Sequence, residues 1–208
     1  MTNDLPFRVT FSILWIIFIA NLIWAGHSSR EPKSSSSIAE KPRQRGRLHI
    51  AALAFIVFFW FGLILYSLLP SWIMFLSIPL PEWFRLIMIG VAIPSILFTL
   101  WGLRALGENW VGSLEPSTTF LQRKEKNLVT SGPYQYVRNP IYLGGIIFII
   151  ALGLGAANWL LLLPALGLAL IHYILADKEE VMLIDAFGDA YREYMKRVPR
   201  FIPKHTRH

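Results

Sequence analysis

Long apolar runs alternate with short polar segments along this chain. Crossing the hydrocarbon core of a bilayer takes about 20 helical residues, and five runs reach or approach that length. They cover residues 7–25, 49–69, 84–106, 141–156 and 159–176. The first run could be a secretory signal, but its leader carries Asp4 and no small-x-small cleavage site follows, so we expect a retained helix. The pattern predicts an all-α polytopic integral membrane bundle of about five transmembrane helices.

The composition agrees with a membrane protein, since 54% of the residues are hydrophobic and only 16% are charged. The absence of cysteine excludes disulfides, thiolate nucleophiles and cysteine-ligated metals. The net charge of +7 falls in loops beside apolar runs, whereas nucleic-acid binding favours one basic face with stacking aromatics. We therefore expect membrane lipids, and no nucleic acid, as partners. The oligomeric state is left open.

The distribution of Lys and Arg predicts a topology. Basic segments at 26–48, at 104–138 and from 178 onward alternate with a loop at 70–83 that has neither residue. The positive-inside rule then places the N-terminus outside, with the C-terminus and the candidate chemistry on the cytoplasmic side of a bacterial inner membrane or the endoplasmic reticulum. We interpret the loop at 26–48 as a topology signal, with binding of anionic lipid headgroups as the alternative.

One polar segment stands out between the apolar runs, LVTSGPYQYVRNPIYLG at residues 128–144. Its prolines turn the backbone away from helix, and hydrogen-bonding groups this dense beside a bilayer indicate a binding site. Arg138 offers a planar fork that suits a carboxylate or a phosphate, with headgroup snorkelling as the alternative.

The last two apolar runs are separated by little more than Ala157-Asn158, which predicts a tight helical hairpin. The hairpin returns Glu179 and Glu180 to the side of Arg138, and we expect Arg138 and Glu179 to meet there. A carboxylate is disfavoured by the dipole at a helix C-terminus. Two interpretations remain for the glutamates: a salt bridge to Arg138 or the basic tail, or binding of a positively charged ligand group.

The tail at 185–197 predicts an amphipathic helix, because Phe187, Tyr191, Tyr194 and Val198 are spaced by four, three and four residues. We expect it to lie at the membrane interface and to cover the site.

Other catalytic motifs are absent from the sequence: HExxH, GxSxG, the P-loop and GxGxxG. His49 and His172 are isolated, so we interpret them as packed or interfacial residues and predict no metal site.

The segment at 128–144, the hairpin and EEVMLIDAFGDAYREYMKRVP at 179–199 together resemble the isoprenylcysteine carboxyl methyltransferase family and its bacterial and archaeal relatives. The wider group includes phospholipid N-methyltransferases, and the resemblance covers residues 109–203. It implies a helical membrane bundle with a cytoplasmic pocket for S-adenosylmethionine and a lipid-facing tunnel for the acceptor.

The resemblance also implies residue roles. The cofactor-binding residues would be Lys126, Asn127, Leu128, Val129, Tyr134, Asn139, Pro140, Ile141, Tyr142 and Glu179. Arg138 would organise the pocket as a catalytic residue, and Tyr191, Arg197 and Pro199 would belong to the closing tail.

Two departures from the family pattern concern chemistry. The family usually has histidine at Asn139 and often at Lys126, and asparagine cannot titrate near neutral pH. Its eukaryotic members have an arginine, associated with the substrate carboxylate, where this chain has Leu175.

The predicted function is methyl transfer from S-adenosylmethionine to a lipophilic acceptor, in the form of carboxyl O-methylation. The alternatives are N-methylation of a phospholipid such as phosphatidylethanolamine, with Glu180 as catalytic base, an NADPH-dependent sterol-type reductase, and a non-enzymatic lipid-binding scaffold. Residues 1–106 would be a three-helix scaffold and 107–208 the catalytic region. That region would comprise a cofactor loop at 107–140, the hairpin at 141–176 and a tail at 177–208.

Overall fold

The computed structural model describes residues 5–28, 47–107 and 128–202. The helices in these ranges are α1 Leu5–Ser28, α2 Arg47–Leu68, α3 Pro70–Ile73, α4 Glu82–Leu106, α5 Pro140–Ala156, α6 Trp159–Phe187 and α7 Asp189–Arg197. Short 3-10 turns occupy Met74–Leu76 and Gly132–Gln135. The described part of the chain contains no β-strand element, and the predicted all-α class is confirmed.

Three of the helices are long and apolar enough, by length and composition, to cross a membrane. They are the Ile50–Leu68 part of α2, the whole of α4 and α6. The two other predicted segments are the shorter apolar helices Leu5–Ala20, within α1, and α5. The protein is an integral membrane protein.

The ends of α6 and α7 correct the predicted boundaries. Helix α6 continues beyond the apolar run that ends at residue 176, and it stops only at Phe187. Gly188 then takes φ of 55°, a left-handed value that favours glycine, so the tail helix begins at Asp189 and not at residue 185. The hydrophobic pattern predicted only where the apolar side chains of α6 end. The helix itself continues beyond that point because its backbone hydrogen bonds do.

The predicted hairpin between α5 and α6 is confirmed, and it is fixed by Ala157 and Asn158. Ala157 adopts a left-handed conformation with φ of 52°, and its carbonyl accepts a hydrogen bond from Ile78 N at 2.7 Å. The Asn158 side chain accepts from Leu160 N at 2.9 Å and donates to the Ile73 carbonyl at 3.0 Å. Asn158 thereby caps α6 and ties the turn to α3.

Aromatic rings hold α1 and α2 against the hairpin. The Trp15 ring stacks on Phe148 of α5 at 5.9 Å between centroids and lies 4.8 Å from Phe59 of α2. Such pairs add stability beyond the area they bury. The Phe11 ring of α1 packs directly on the backbone of Gly155 in α5, where an added Cβ would collide with it. Helix α1 is therefore part of the bundle core.

Helices α4 and α5 are in close contact at Gly144. A Cβ there would lie 2.9 Å from the Ser95 carbonyl oxygen and 3.1 Å from Thr99 N, and nearer still to Thr99 Oγ1. The adjacent Gly145 has nothing within 4 Å of the same hypothetical atom. Close packing at Gly144 sets the position of the start of α5, which carries the candidate site.

Substituting Gly144 by alanine should destabilise the protein. The added methyl group overpacks the α4–α5 contact, at a cost of about 1–3 kcal/mol. Gly145→Ala is the matched control, and it should be neutral or slightly stabilising because alanine favours helix. Thermal unfolding in detergent measures both, and equal melting temperatures for the two variants would contradict this account.

Candidate functional site

The polar segment before α5 is held by the C-terminal tail. Pro140 occupies the first position of α5, where its missing N–H removes no helical hydrogen bond. The two preceding backbone amides point to the tail: Arg138 N donates to the Pro199 carbonyl at 2.9 Å, and Asn139 N donates to the Arg200 carbonyl at 3.3 Å. The segment and the tail therefore run side by side.

Glu180 is the centre of the charged network, and its side chain is only 2% exposed. Arg138 donates to both carboxylate oxygens, from Nε at 3.0 Å and from Nη2 at 3.1 Å. Asn139 Nδ2 donates to Oε1 at 2.8 Å, and Arg200 donates to Oε2 from Nε and Nη2 at 3.0 and 2.7 Å. Two guanidinium groups and an amide thus surround one buried carboxylate.

The two arginines extend this network into the tail. Arg138 Nη1 donates to the carbonyl oxygens of Val198 at 2.5 Å and Met195 at 3.3 Å. Arg200 Nη2 also donates to Asp177 at 2.8 Å. The neighbouring Glu180 carboxylate raises the pKa of Arg200, with a further contribution from Asp177. Arg138 and Arg200 therefore lock the tail to α6 on both sides of Glu180.

Glu179 has a different environment from its neighbour. Successive helical residues point about 100° apart, so Glu179 turns away from the arginines. Its half-buried carboxylate interacts electrostatically with the nearby Tyr142 side chain. Burial and the nearby Glu179 charge raise the pKa of Tyr134. Arg138 was expected to meet Glu179, but its ion pair is with Glu180; within the described residues no basic group pairs with Glu179.

The tail helix α7 is amphipathic, as predicted. Tyr191 and Tyr194 are buried, and they pack with Val198 against Leu128 and the end of α6. The Tyr194 hydroxyl donates to the Tyr134 carbonyl at 2.6 Å. The opposite face carries exposed charges. Helix α7 thereby covers the polar segment that leads into α5.

Most of the predicted site residues that the structure describes come together here. The residues around the two glutamates are Tyr134, Arg138, Asn139, Tyr142 and Tyr191. Leu128 packs with Tyr191 in the tail cluster, and Val129 next to it is half-buried. Pro140 and Ile141 instead face Gly102 of α4. Arg197 does not join the group, because its exposed side chain donates only to the Glu193 carbonyl among the described contacts. Lys126 and Asn127 lie outside the described residues.

Sequence reasoning missed Arg200. It is one of several basic residues in the tail, and nothing in their spacing distinguishes it. Its position two residues after buried Val198, in the extended segment beyond α7, brings it back to Glu180.

These features define an integral membrane helical protein whose polar site lies where the last hairpin meets a C-terminal tail. Residues 84–190, just over half of the chain, match the sequence profile described as phospholipid methyltransferase. The chain belongs to this family, and the predicted relationship is confirmed.

Individual relatives match shorter regions. The chain is 35% identical over 118 residues to the cobalt-zinc-cadmium resistance protein CzcN of Cupriavidus metallidurans. The aligned region covers 55% of this chain and 53% of that protein. It is 31% identical over 123 residues to the protein-S-isoprenylcysteine O-methyltransferase of Schizosaccharomyces pombe, covering 52% of each. The chain thus spans about half the length of these relatives. Methanethiol S-methyltransferase 1 of Bradyrhizobium diazoefficiens is 39% identical over 70 residues, 34% of this chain and 24% of that protein.

A solved structure shares the fold. The eukaryotic intramembrane Ras methyltransferase, an isoprenylcysteine carboxyl methyltransferase, superposes with a TM-score of 0.55 and 20% identity. The match covers 90% of this chain and 62% of that chain. At this identity the likeness concerns the architecture.

Replacing Glu180 by glutamine should destabilise the protein strongly. The change leaves the buried Arg138 guanidinium without its anion and Arg200 with Asp177 alone, and breaking a buried pair costs about 3–5 kcal/mol. Hydrogen exchange should also accelerate at the Arg138 and Asn139 amides, because the tail loses its attachment.

The matched control is Glu193→Gln, which removes the exposed Glu193–Lys196 pair and should cost at most about 0.5 kcal/mol. Thermal unfolding in detergent compares the two variants. A Glu180→Gln protein as stable as this control would contradict the central role of the Glu180 network.

Proposed function

We propose that this protein is an S-adenosylmethionine-dependent methyltransferase that acts on a lipophilic acceptor at the membrane. The observation that carries the proposal is the contrast between the two glutamates. Glu180 is saturated by arginines, whereas Glu179 has no cationic partner among the described residues. A half-buried carboxylate without a cation suits a positively charged ligand.

The charge of S-adenosylmethionine suits this environment. The molecule carries a positively charged sulfonium group and an ammonium group, and Glu179 with Tyr142 and Tyr134 would hold such a cation. Backbone groups of Leu128 and Val129 lie on the neighbouring segment and would complete the pocket, with Lys126 and Asn127 as predicted contributors. When bound, the cofactor supplies an electrophilic methyl group.

The protein's own contribution would be orientation and exclusion of water. Holding two reactants in the reactive orientation lowers the activation free energy by on the order of 7 kcal/mol or more. Arg138 and Glu180 would act as positioning residues, because their hydrogen bonds fix the α5 start and the tail around Glu179. A role of Glu180 as base stays a prediction, and the five hydrogen bonds that it accepts from three side chains do not favour it.

The acceptor would enter from the bilayer. An apolar groove between α2 and α6 is lined by Phe55, Phe58, Trp159, Leu160, Leu163 and Pro164. The groove lies near the start of α6, at the opposite end of that helix from Glu179. It would offer apolar surface to the tail of a lipophilic acceptor. Carboxyl O-methylation is the form that the family resemblance implies, and an isoprenylcysteine O-methyltransferase is among the similar proteins.

The site would face the cytoplasm, following the distribution of basic loops. We also propose that α1 and α2 act as scaffold. Helix α4 would work with the catalytic region, because it packs closely against α5 and the family match begins at residue 84.

The test is calorimetric binding of S-adenosylmethionine and S-adenosylhomocysteine to detergent-purified protein. Wild type should bind saturably, and Glu179→Gln should weaken binding of the methyl donor about 10- to 100-fold, the usual worth of a hydrogen bond to a charged group. Asp185→Asn on the exposed side of α6 is the control and should bind like wild type. Absence of binding to folded wild type would reject the proposal.

A further inference from the structure

The segment between α2 and α4 exposes apolar side chains at the end of the bundle opposite the two glutamates. Trp72, Met74 and Phe75 are 68%, 64% and 81% exposed, whereas Ile73 between them is buried in the bundle core. From residue 50 to residue 81 the sequence contains no Asp, Glu, Lys, Arg or His. An exposed apolar patch without charge marks a surface that contacts a membrane or another protein.

The hairpin between α5 and α6 sets the depth of this segment in the membrane. Helix α5 has 17 residues, so it is about 25 Å long, whereas the hydrocarbon core of a bilayer is about 30 Å thick. One end of α5 adjoins the charged pair of Arg138 and Glu180, which belongs at the boundary of the hydrocarbon. The turn at Ala157-Asn158 is at the other end, and it therefore does not reach beyond the opposite boundary.

The chain that follows α2 folds back to this turn. Gly62 of α2 packs on Leu160, since an added Cβ would lie 3.1 Å from the Leu160 carbonyl oxygen. Helix α2 continues to Leu68, about 9 Å further along its axis. The chain then returns: the Ile73 carbonyl accepts from Asn158 Nδ2 at 3.0 Å, and Ile78 N donates to the Ala157 carbonyl at 2.7 Å. The segment therefore lies against the hairpin and does not project away from it.

The backbone hydrogen bonds at this end suit an apolar environment. Non-helical backbone at membrane depth needs partners within the protein, because lipid offers none. The Gly155 carbonyl near the end of α5 accepts from Arg85 Nε at 2.9 Å. Within the segment, Ser77 N donates to the Met74 carbonyl at 3.1 Å. Together with the two bonds to the hairpin turn, these contacts satisfy backbone groups without water.

The exposed side chains continue the lipid-facing surface of the neighbouring helices. Leu68 at the end of α2 and Trp83 and Leu86 at the start of α4 are exposed, and both helices are long and apolar enough to cross a membrane. Tryptophan is enriched where a protein meets the membrane interface, and exposed Glu82 is the first charged residue after the segment. Because apolar residues on both sides of the segment face lipid, lipid is the partner that fits the surface between them.

We infer that residues 70–78 form an interfacial segment embedded in the membrane leaflet opposite the candidate site, with Trp72, Met74 and Phe75 in contact with lipid acyl chains. The segment binds through apolar area and not through charge, so a zwitterionic phosphatidylcholine bilayer is sufficient. It is thus part of the membrane-embedded surface and not a loop in water. The inference is independent of the proposed function.

Site-directed spin labelling tests this inference, and the absence of cysteine from the chain makes each label unique. Phe75→Cys and Trp72→Cys are labelled with a nitroxide, and the full-length protein is reconstituted into phosphatidylcholine vesicles. Power-saturation electron paramagnetic resonance compares how often the label collides with oxygen, which concentrates in hydrocarbon, and with a water-soluble nickel chelate present on both sides of the membrane. Both labels should collide more with oxygen than with the nickel chelate.

Two matched positions calibrate the measurement. Leu163→Cys, on the exposed side of α6, gives the reference for lipid. Asp189→Cys, whose wild-type side chain is 94% exposed on α7, gives the reference for water. Thermal unfolding of each labelled protein checks the fold, and two labelled positions in the segment keep the result from depending on one variant.

Each outcome decides the inference. Labels at positions 72 and 75 that respond like the Leu163→Cys label would support it. Labels that respond like the Asp189→Cys label would place the segment in water and overturn it. Labels shielded from both reagents would mean that protein, such as a second copy of this chain, covers the segment, and this would overturn it as well.

Discussion

The buried carboxylate of Glu180 is the interaction on which the rest of the site depends. It joins α6 to the start of α5 through Arg138 and Asn139, and to the tail through Arg200. A buried charge is tolerated only when it is paired and fully hydrogen-bonded, and four of its five bonds come from guanidinium groups. Because Arg138 also binds the Val198 carbonyl, the same network determines where the tail lies.

One consequence is that the two adjacent glutamates have different roles. Glu180 is paired with Arg138 and Arg200, which leaves Glu179 beside Tyr142 as the carboxylate available to a ligand. The arginines are equally committed, so the described site offers a negative group to a cation and little to an anion. The proposed binding of a sulfonium donor follows from this allocation of charge.

The apolar bundle supplies the rigidity that such a site needs. Gly144 lets α5 lie directly against α4, and the rings of Trp15 and Phe148 hold α1 on the other side of α5. Asn158 fixes the hairpin turn at the far end of α5 and α6. Positions on both helices are therefore set by packing before any ligand binds, which is the condition for orienting two reactants.

The sequence by itself determined the helical membrane class, the hairpin at Ala157-Asn158 and the amphipathic tail, because hydrophobic periodicity and turn residues act locally. Its motifs at 128–144 and 179–199 indicated the family. It also identified the 128–144 segment and both glutamates as candidate groups. Only the tertiary structure decided that Arg138 pairs with Glu180 and that Arg200 completes the network while Arg197 stays exposed. Those contacts join residues 20 to 60 positions apart in the sequence. Which of several similar charged residues meets a partner depends on how the helices are rotated and on where the tail folds back, and the local sequence pattern does not encode either.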